Sequence, residues 1–470
     1  MSIDQTLRRP PPLPSLRSSI PGIHWPALPG HQAADLLAQL YQLESSQWWP
    51  PESVLQKQYR QFGELARHVH RHSPFFRARL DAAGLSPDLA WSHETFARIP
   101  LLTRTDLLLR GADIHCQMVP AEHGVVNEIQ TSGSTGQTVA VRRTGVSGLT
   151  WMALTMRDHL WHGRNFSASL AVIRGLVTTQ DDPVEAQKSG WGPPATLLFD
   201  TGPSYVQPLT MDLAGQADWL LARNPHYLLT YPTNLRALLN RFERLGRIPT
   251  GLREVRTIGE TLAPDLRQRC RAVLGAGLVD LYSSQEVGVI ALQCPASGLH
   301  HVQSESLLVE VLGDADQPCR PGEVGRVVVT DLHNFATPII RYDIRDYAEA
   351  GPVCPCGRGL PTLARILGRQ RNMIVLPNGH RSWGMAGLHQ FREIAVILQY
   401  QIVQHSLEDV EVRLVTPAAL TPGQESRLKS VIREAMGHPF PLRFSYFEGE
   451  LPGTRSGKFE EVVSLVGDRS

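Results

Sequence analysis

The sequence predicts an α/β protein, with a large multi-sheet N-terminal domain and a small α+β C-terminal domain. Three observations carry that reading. Between Gly145 and Val289, short apolar runs ("SLAVIRGLV", "HYLLTY", "EVRTIGE", "GLVDLYSS") alternate with helical patterns such as "TNLRALLNRFERLG". Strand–helix alternation of this kind is the signature of a largely parallel sheet. From His301 to Thr330 the pattern turns to period two ("SLLVEVL", "GRVVVTDL") between Pro-Gly turns, which reads as antiparallel pairing. Beyond Gly368 a shorter set follows: strands at "YQIVQ", "DVEVRLV" and "LRFSYF" around a helix at "PGQESRLKSVIREAM".

At 470 residues with 42% hydrophobic content, the chain can bury a sizeable core in more than one folding unit. Residues 1–40 read as a proline-rich arm, 41–368 as the large domain and 369–470 as the small one. The arm has arginines with no apolar run after them, so it lacks the pattern of a secretory leader, and its prolines favour an extended segment. Apolar residues recur at helical spacing from Glu52 to Ala83, with Gly84 as a stop signal. In "RIPLLTRTDLL", Thr103 or Thr105 can cap a further helix. The net charge is +1, from 46 basic and 45 acidic residues spread along the chain. That balance argues against a nucleic-acid surface and against a polybasic membrane patch. No apolar stretch approaches the ~20 residues that span a bilayer. Six cysteines in a chain of this length make no disulfide framework and point to a reducing, cytoplasmic setting.

The chemistry-bearing stretch is "IQTSGSTGQTVAVRRT", residues 129–144. A turn of glycines and small hydroxyl residues can wrap phosphate oxygens with backbone N–H groups, although by itself it also reads as a surface loop. It is no Walker loop, because Gln137 stands where that pattern needs lysine. It is followed in order by "IGETL", "YSSQEVG", "IIRYDIRDYAE", "ILGRQRN" and "LPGTRSGK". With "SPFFRARL", "FARIPLLTRTDLL" and "CPCGRGLP", this ordered set resembles the adenylate-forming (AMP-binding) superfamily. Within it the chain is most similar to the phenylacetate–CoA ligase and coenzyme F390 synthetase branch, CapK-type members included, over residues 50–465.

The resemblance implies a large N-terminal adenylation domain and a small C-terminal lid that rotates between two half-reactions. In the first, a carboxylic acid and ATP give an acyl-adenylate; in the second, the acyl group passes to a thiol, by default that of CoA. A carrier protein or an amine is the alternative acceptor, and an adenylate-binding scaffold without catalysis is the alternative of another class. The oligomeric state stays open. By the same resemblance, Ser132, Gly133, Ser134, Thr135 and Gly136 hold the β- and γ-phosphates, and Arg142 and Arg143 either supply the charge missing at Gln137 or are surface arginines. Tyr282 lies against the adenine, Ser283 and Ser284 face the α-phosphate, and Glu286 helps hold Mg²⁺. Glu286 can alternatively be a carboxylate at a helix start. Glu260 lines the pocket or caps the next helix. Asp346 accepts from the ribose hydroxyls, and Arg369 stands at the domain junction, followed by Gln370, Arg371 and Asn372 where the family has an acidic residue. Lys458 is the lid lysine of adenylation. Trp151 and Tyr231 fall where this branch contacts its acid, or in the core. Cys294, His300, Cys354 and Cys356 match a four-ligand structural Zn²⁺ pattern, with His300 preferred to His301 on its spacing from Cys294; reduced cysteines in two turns are the other reading.

Overall fold

The computed structural model describes residues 15–131, 138–175, 186–188, 190–369, 373–379, 381–382, 391–448, 451 and 461–466. Helices come first. His31–Ser46 crosses residue 40, and its Ala33, Leu36 and Leu43 pack with Leu154, Met156 and Phe199 of the large domain. The stretch from His31 onward is therefore core-forming structure rather than part of an arm. The helical pattern expected from Glu52 to Ala83 divides into Pro51–His72 and Pro74–Ala82. Pro74 lacks an N–H and keeps the residue before it out of the helical region. Ser73 accordingly sits at φ −117°, ψ 108°, and its hydroxyl caps the second helix by accepting from the Phe76 N–H. At Arg104–Ile114 the cap is Thr103, closed into a capping box by Asp106.

A two-stranded hairpin, β1 (Asn127–Thr131) and β2 (Val139–Arg143), brackets the glycine-rich stretch. The large sheet then takes β3 (Leu170–Arg174), β4 (Ala186–Lys188), β5 (Ser204–Pro208), β6 (Tyr227–Thr230), β7 (Glu254–Ile258) and β8 (Gly277–Ser284). It continues through β9 (Gly288–Gln293), β10 (His300–Val302), β11 (Leu307–Leu312), β12 (Val324–Asp331), β13 (Tyr342–Ala350) and β14 (Thr362–Arg369). The parallel and antiparallel sections join into one twelve-stranded sheet, ordered β11-β12-β13-β14-β10-β9-β8-β7-β6-β3-β5-β4. β8 is the seam: it runs parallel to β7 and antiparallel to β9. Helices Pro232–Leu245 and Leu266–Leu274 cover the parallel half through Leu235, Leu238, Phe242 and Leu266. The N-terminal helices cover the antiparallel half through Phe62, Leu65 and Phe96, packed with Ile290, Val327 and Tyr342.

After Arg369 come a short pair, β15 (Ile374–Val375) and β16 (Arg381–Ser382), and a four-stranded sheet. That sheet comprises β17 (Gln399–Gln404), β18 (Val410–Val415), β19 (Leu442–Phe447) and β20 (Val462–Ser464), in the order β19-β18-β17-β20. Helix Pro422–Met436 lies in the same core through Leu428, Ile432 and Met436. Among the described residues, no helix is long and apolar enough to cross a membrane.

Arg341 joins the helical layer to the sheet. Its Nε and Nη2 donate to the two Glu310 oxygens at 3.0 and 3.1 Å, and Nη1 donates to the carbonyls of Ala97 and Ile99. Its own backbone carbonyl accepts from the Leu102 N–H at 2.8 Å. Both side chains are buried, so removing one partner strands a charge in a low-dielectric interior. Arg341→Met should therefore lower the stability of the large domain by ~3–5 kcal/mol. Urea unfolding checks this; a shift smaller than ~0.5 kcal/mol would show that Arg341 is not a structural joint.

Candidate active site and metal centre

The "YSSQEVG" motif forms the turn from β8 to β9, with Ser284 paired to Gly288. Gly288 takes φ +83°, a left-handed conformation that suits glycine, and a Cβ there would lie 3.5 Å from the Trp151 ring. The Ser284 hydroxyl accepts from the Val287 N–H at 3.3 Å, which tightens the turn. Glu286 projects from this hairpin turn, so the reading of it as a helix-start carboxylate does not hold. Its carboxylate lies 3.6 Å from the Arg104 guanidinium, and both side chains are largely buried. Arg104 was not singled out in the sequence. The legible signal is its position directly after the Thr103 cap, because a cation at the positive end of a helix is electrostatically misplaced unless an anion faces it.

Next to this turn, the Tyr282 hydroxyl donates to Asp346 Oδ2 at 2.9 Å. Burial, and then the Asp346 carboxylate, hold the phenol well above its usual pKa, so it remains a donor. Asp346 pairs in register with Arg369 across β13 and β14, and Arg369 Nε stands 3.6 Å from Asp346 Oδ1. "IGETL" closes on the same strand end: a Cβ on Gly368, at φ +91°, would come 2.4 Å from the Thr261 hydroxyl. Glu260 does cap a helix, but not the one that follows it. The N–H and hydroxyl of Thr233 donate to its Oε2 at 3.0 and 2.7 Å, at the start of Pro232–Leu245. Tyr231 is the N-cap residue of that helix, and its hydroxyl accepts from the Gly175 N–H at 3.3 Å.

The two arginines after the glycine-rich stretch point in opposite directions, as alternate residues of a strand must. Arg142 is half exposed and pairs with Glu128 at 3.2 Å. Arg143 turns inward, stacks 4.3 Å from the Trp151 ring centroid and donates to the Gln285 carbonyl. It thus ties β2 to the turn that carries Glu286, and Trp151 is the platform beneath both. Ser132, Gly133, Ser134, Thr135, Gly136, Gln137, Gln370, Arg371, Asn372 and Lys458 lie outside the described residues.

A second constellation joins the turn after β9 to the β13–β14 connection. Ligand atoms of Cys294, His301, Cys354 and Cys356 all lie within 4.8 Å of one another. The histidine is His301, which corrects the expectation of His300. Neighbouring residues on a strand face opposite sides of the sheet, and in β10 it is His301 whose ring meets the cysteines. His300 faces away, its Nε2 3.7 Å from Asp280. The Sγ atoms of Cys354 and Cys294 are 3.7 Å apart, and Cys356 Sγ is 3.3 Å from His301 Nε2. Metal–sulfur bonds of about 2.3 Å at tetrahedral angles separate sulfurs by ~3.8 Å, so the donor set fits a closed tetrahedral ion. His301 Nδ1 lies 3.1 Å from the Leu360 carbonyl, which fixes the tautomer with Nε2 toward the thiols. Burial above all lowers the His301 pKa to about 4, leaving the imidazole neutral. Burial opposes the Cys294 thiolate, but hydrogen bonds from Ser297 and the local backbone outweigh it and lower that pKa. Just beyond, the Arg358 guanidinium is sandwiched between Trp48 at 4.9 Å and Trp161 at 4.2 Å, and donates to Gln47 Oε1.

No family model matches the chain. In sequence it is similar to the phenylacetate–coenzyme A ligase of Aromatoleum evansii, 26% identical over 319 residues, or 66% of this chain and 69% of that one. In shape it is similar to 2-hydroxyisobutyryl-CoA ligase in the postadenylation state with 2-HIB-AMP, with a TM-score of 0.72 and 18% identity, over 89% of this chain and 91% of that one. Against the same ligase with 2-HIB-AMP and CoA in the thioesterification state the TM-score is 0.58 at 19% identity, with the same 89% and 91% covered. The fold is thus that of an adenylate-forming ligase. Within that class, the sequence relatives of this chain are phenylacetate–coenzyme A ligases.

The geometry separates the two adjacent histidines experimentally. Where the parent protein purifies with a metal ion, His301→Ala should lose it, whereas His300→Ala should retain it at the parental stoichiometry. Elemental analysis of both variants is the check, and retention of the metal by His301→Ala would refute the assignment.

Proposed function

We propose that this protein is an AMP-forming acid–thiol ligase: it activates a carboxylic acid with ATP and transfers the acyl group to CoA. The observation that carries the reading is the Tyr282–Asp346–Arg369 cluster where the middle of β13 meets the end of β14, beside Glu286 and Arg104, on an adenylate-forming fold. In this reading Asp346, already oriented by the Tyr282 hydroxyl, accepts from the ribose hydroxyls, since a carboxylate offers several lone pairs and no competing donor. Glu286 supplies an oxygen to Mg²⁺, a hard cation that prefers carboxylates and phosphates. The hydroxyls and backbone N–H groups of 132–136 take the phosphates, with Ser283 and Ser284 nearby in sequence space to the Glu286 turn. Lys458 stabilises the charge that builds on the α-phosphate and the acyl carboxylate. Six cysteines in 470 residues, three of them placed to serve as metal thiolates, fit a reducing, cytoplasmic setting.

Cys294, His301, Cys354 and Cys356 hold one structural Zn²⁺ in the same reading. With four protein ligands no position is left for a catalytic water, so the ion braces two turns of the sheet and takes no part in the reaction.

Pyrophosphate release across a panel of carboxylic acids, each with and without CoA, tests the function directly. The expected result is acid-dependent release, with thioester formed only when CoA is present. Release with no thioester but transfer to an amine or a carrier protein would redirect the second half-reaction, and no release with any acid would reject the reading. Lys458→Ala should slow acyl-adenylate formation by about 100-fold or more. Conversion of a supplied acyl-adenylate to thioester should stay near the parental rate, and equal loss of both steps would exclude a lysine used in one half-reaction.

A further inference from the structure

Helix Pro232–Leu245 carries one arginine that bridges the two domains. Arg236 Nη1 and Nη2 each lie 3.0 Å from an oxygen of Asp265, a bidentate pair within the large domain. Its Nε lies 3.3 Å from Glu461 Oε1, which belongs to the small domain. The second Glu461 oxygen accepts from the Tyr400 hydroxyl of β17 at 2.8 Å. The backbone of Glu461 is fixed as well, because its carbonyl accepts from the Ile402 N–H at 2.8 Å just before β20 begins. A further hydrogen bond crosses beside it, from Asn240 Nδ2 to the Leu398 carbonyl at 3.1 Å. The side chains of Arg236 and Glu461 are only 16% and 15% exposed, so this pair is screened far less than a surface salt bridge.

The three contacts of Arg236 are unequal. The fork on Asp265 is bidentate and stays inside one domain; the Nε contact to Glu461 is single and spans two. If the small domain turns, Arg236 remains with Asp265 and Glu461 leaves with Tyr400. Glu461 is also three residues past Lys458.

We propose that Arg236 is a positioning residue for adenylation: through Glu461 it latches the small domain in the orientation of the first half-reaction, and the latch opens before acyl transfer. The inference rests on the two-step ligase reading above. It assigns no contact with substrate to Arg236, whose effect is transmitted through Glu461 and Tyr400.

The test compares the half-reactions in Arg236→Met and Glu461→Gln. The second variant is isosteric, keeps an acceptor for Tyr400 and removes the charge that faces Arg236, so it controls for misfolding. With an acid that the parent accepts, ATP–pyrophosphate exchange should fall about tenfold or more in both variants, while thioester formation from a supplied acyl-adenylate and CoA should change less than about twofold or rise. Equal losses in both half-reactions, or undiminished exchange in Glu461→Gln, would overturn the latch. Small-angle scattering of the ligand-free protein gives a readout without turnover. Both variants should show a broader distance distribution than the parent. If no acid supports pyrophosphate exchange in the parent, the ligase reading fails, and unchanged scattering in both variants would then reject the latch independently.

Discussion

Antiparallel pairing of β13 with β14 is the constraint on which both candidate sites depend. At one end the register sets Asp346 opposite Arg369, under the hydroxyl of Tyr282. At the other end the same two strands are joined by the connection that holds Cys354 and Cys356. β14 also pairs with β10, which delivers His301 to those cysteines. A one-residue slip in this register would turn every side chain to the opposite face and dismantle both clusters together. Arg369 ends β14, the last strand of the large sheet before the small domain, so the pairing also sets where that domain departs.

Arginine is the recurrent joint between layers. Arg341 links the N-terminal helices to the sheet, Arg143 links the β1–β2 hairpin to the Glu286 turn, and Arg358 seats the N-terminal aromatic segment against the cysteine turn. Arg164 and Arg256 share the fully buried carboxylate of Asp158 behind β7. In each case the planar, multidonor guanidinium combines hydrogen bonds to oxygens with, at Arg143 and Arg358, stacking on indole rings from another segment, which an ammonium cannot do in so fixed a geometry.

Local pattern made much of this protein legible in its sequence. The strands at "HYLLTY", "EVRTIGE" and "GLVDLYSS", the period-two strands after His301 and the helix at Pro422–Met436 all form where periodicity placed them, because apolar spacing decides which face of an element is buried. The order of the motifs was equally legible, and with it the neighbourhood of Tyr282, Glu286, Asp346 and Arg369. Tertiary structure decided what depends on direction and on distant partners. His301 rather than His300 joins the cysteines because strand alternation gives adjacent residues opposite faces, and spacing along the chain cannot tell which face meets Cys354. Glu260 caps a helix that precedes it because parallel strands bring the end of β7 beside the end of β6. Arg143 stacks on Trp151, Arg104 meets Glu286 and Arg236 meets Glu461 for the same reason: a contact between segments far apart in sequence leaves no local periodicity, and only the packed sheet brings its halves together.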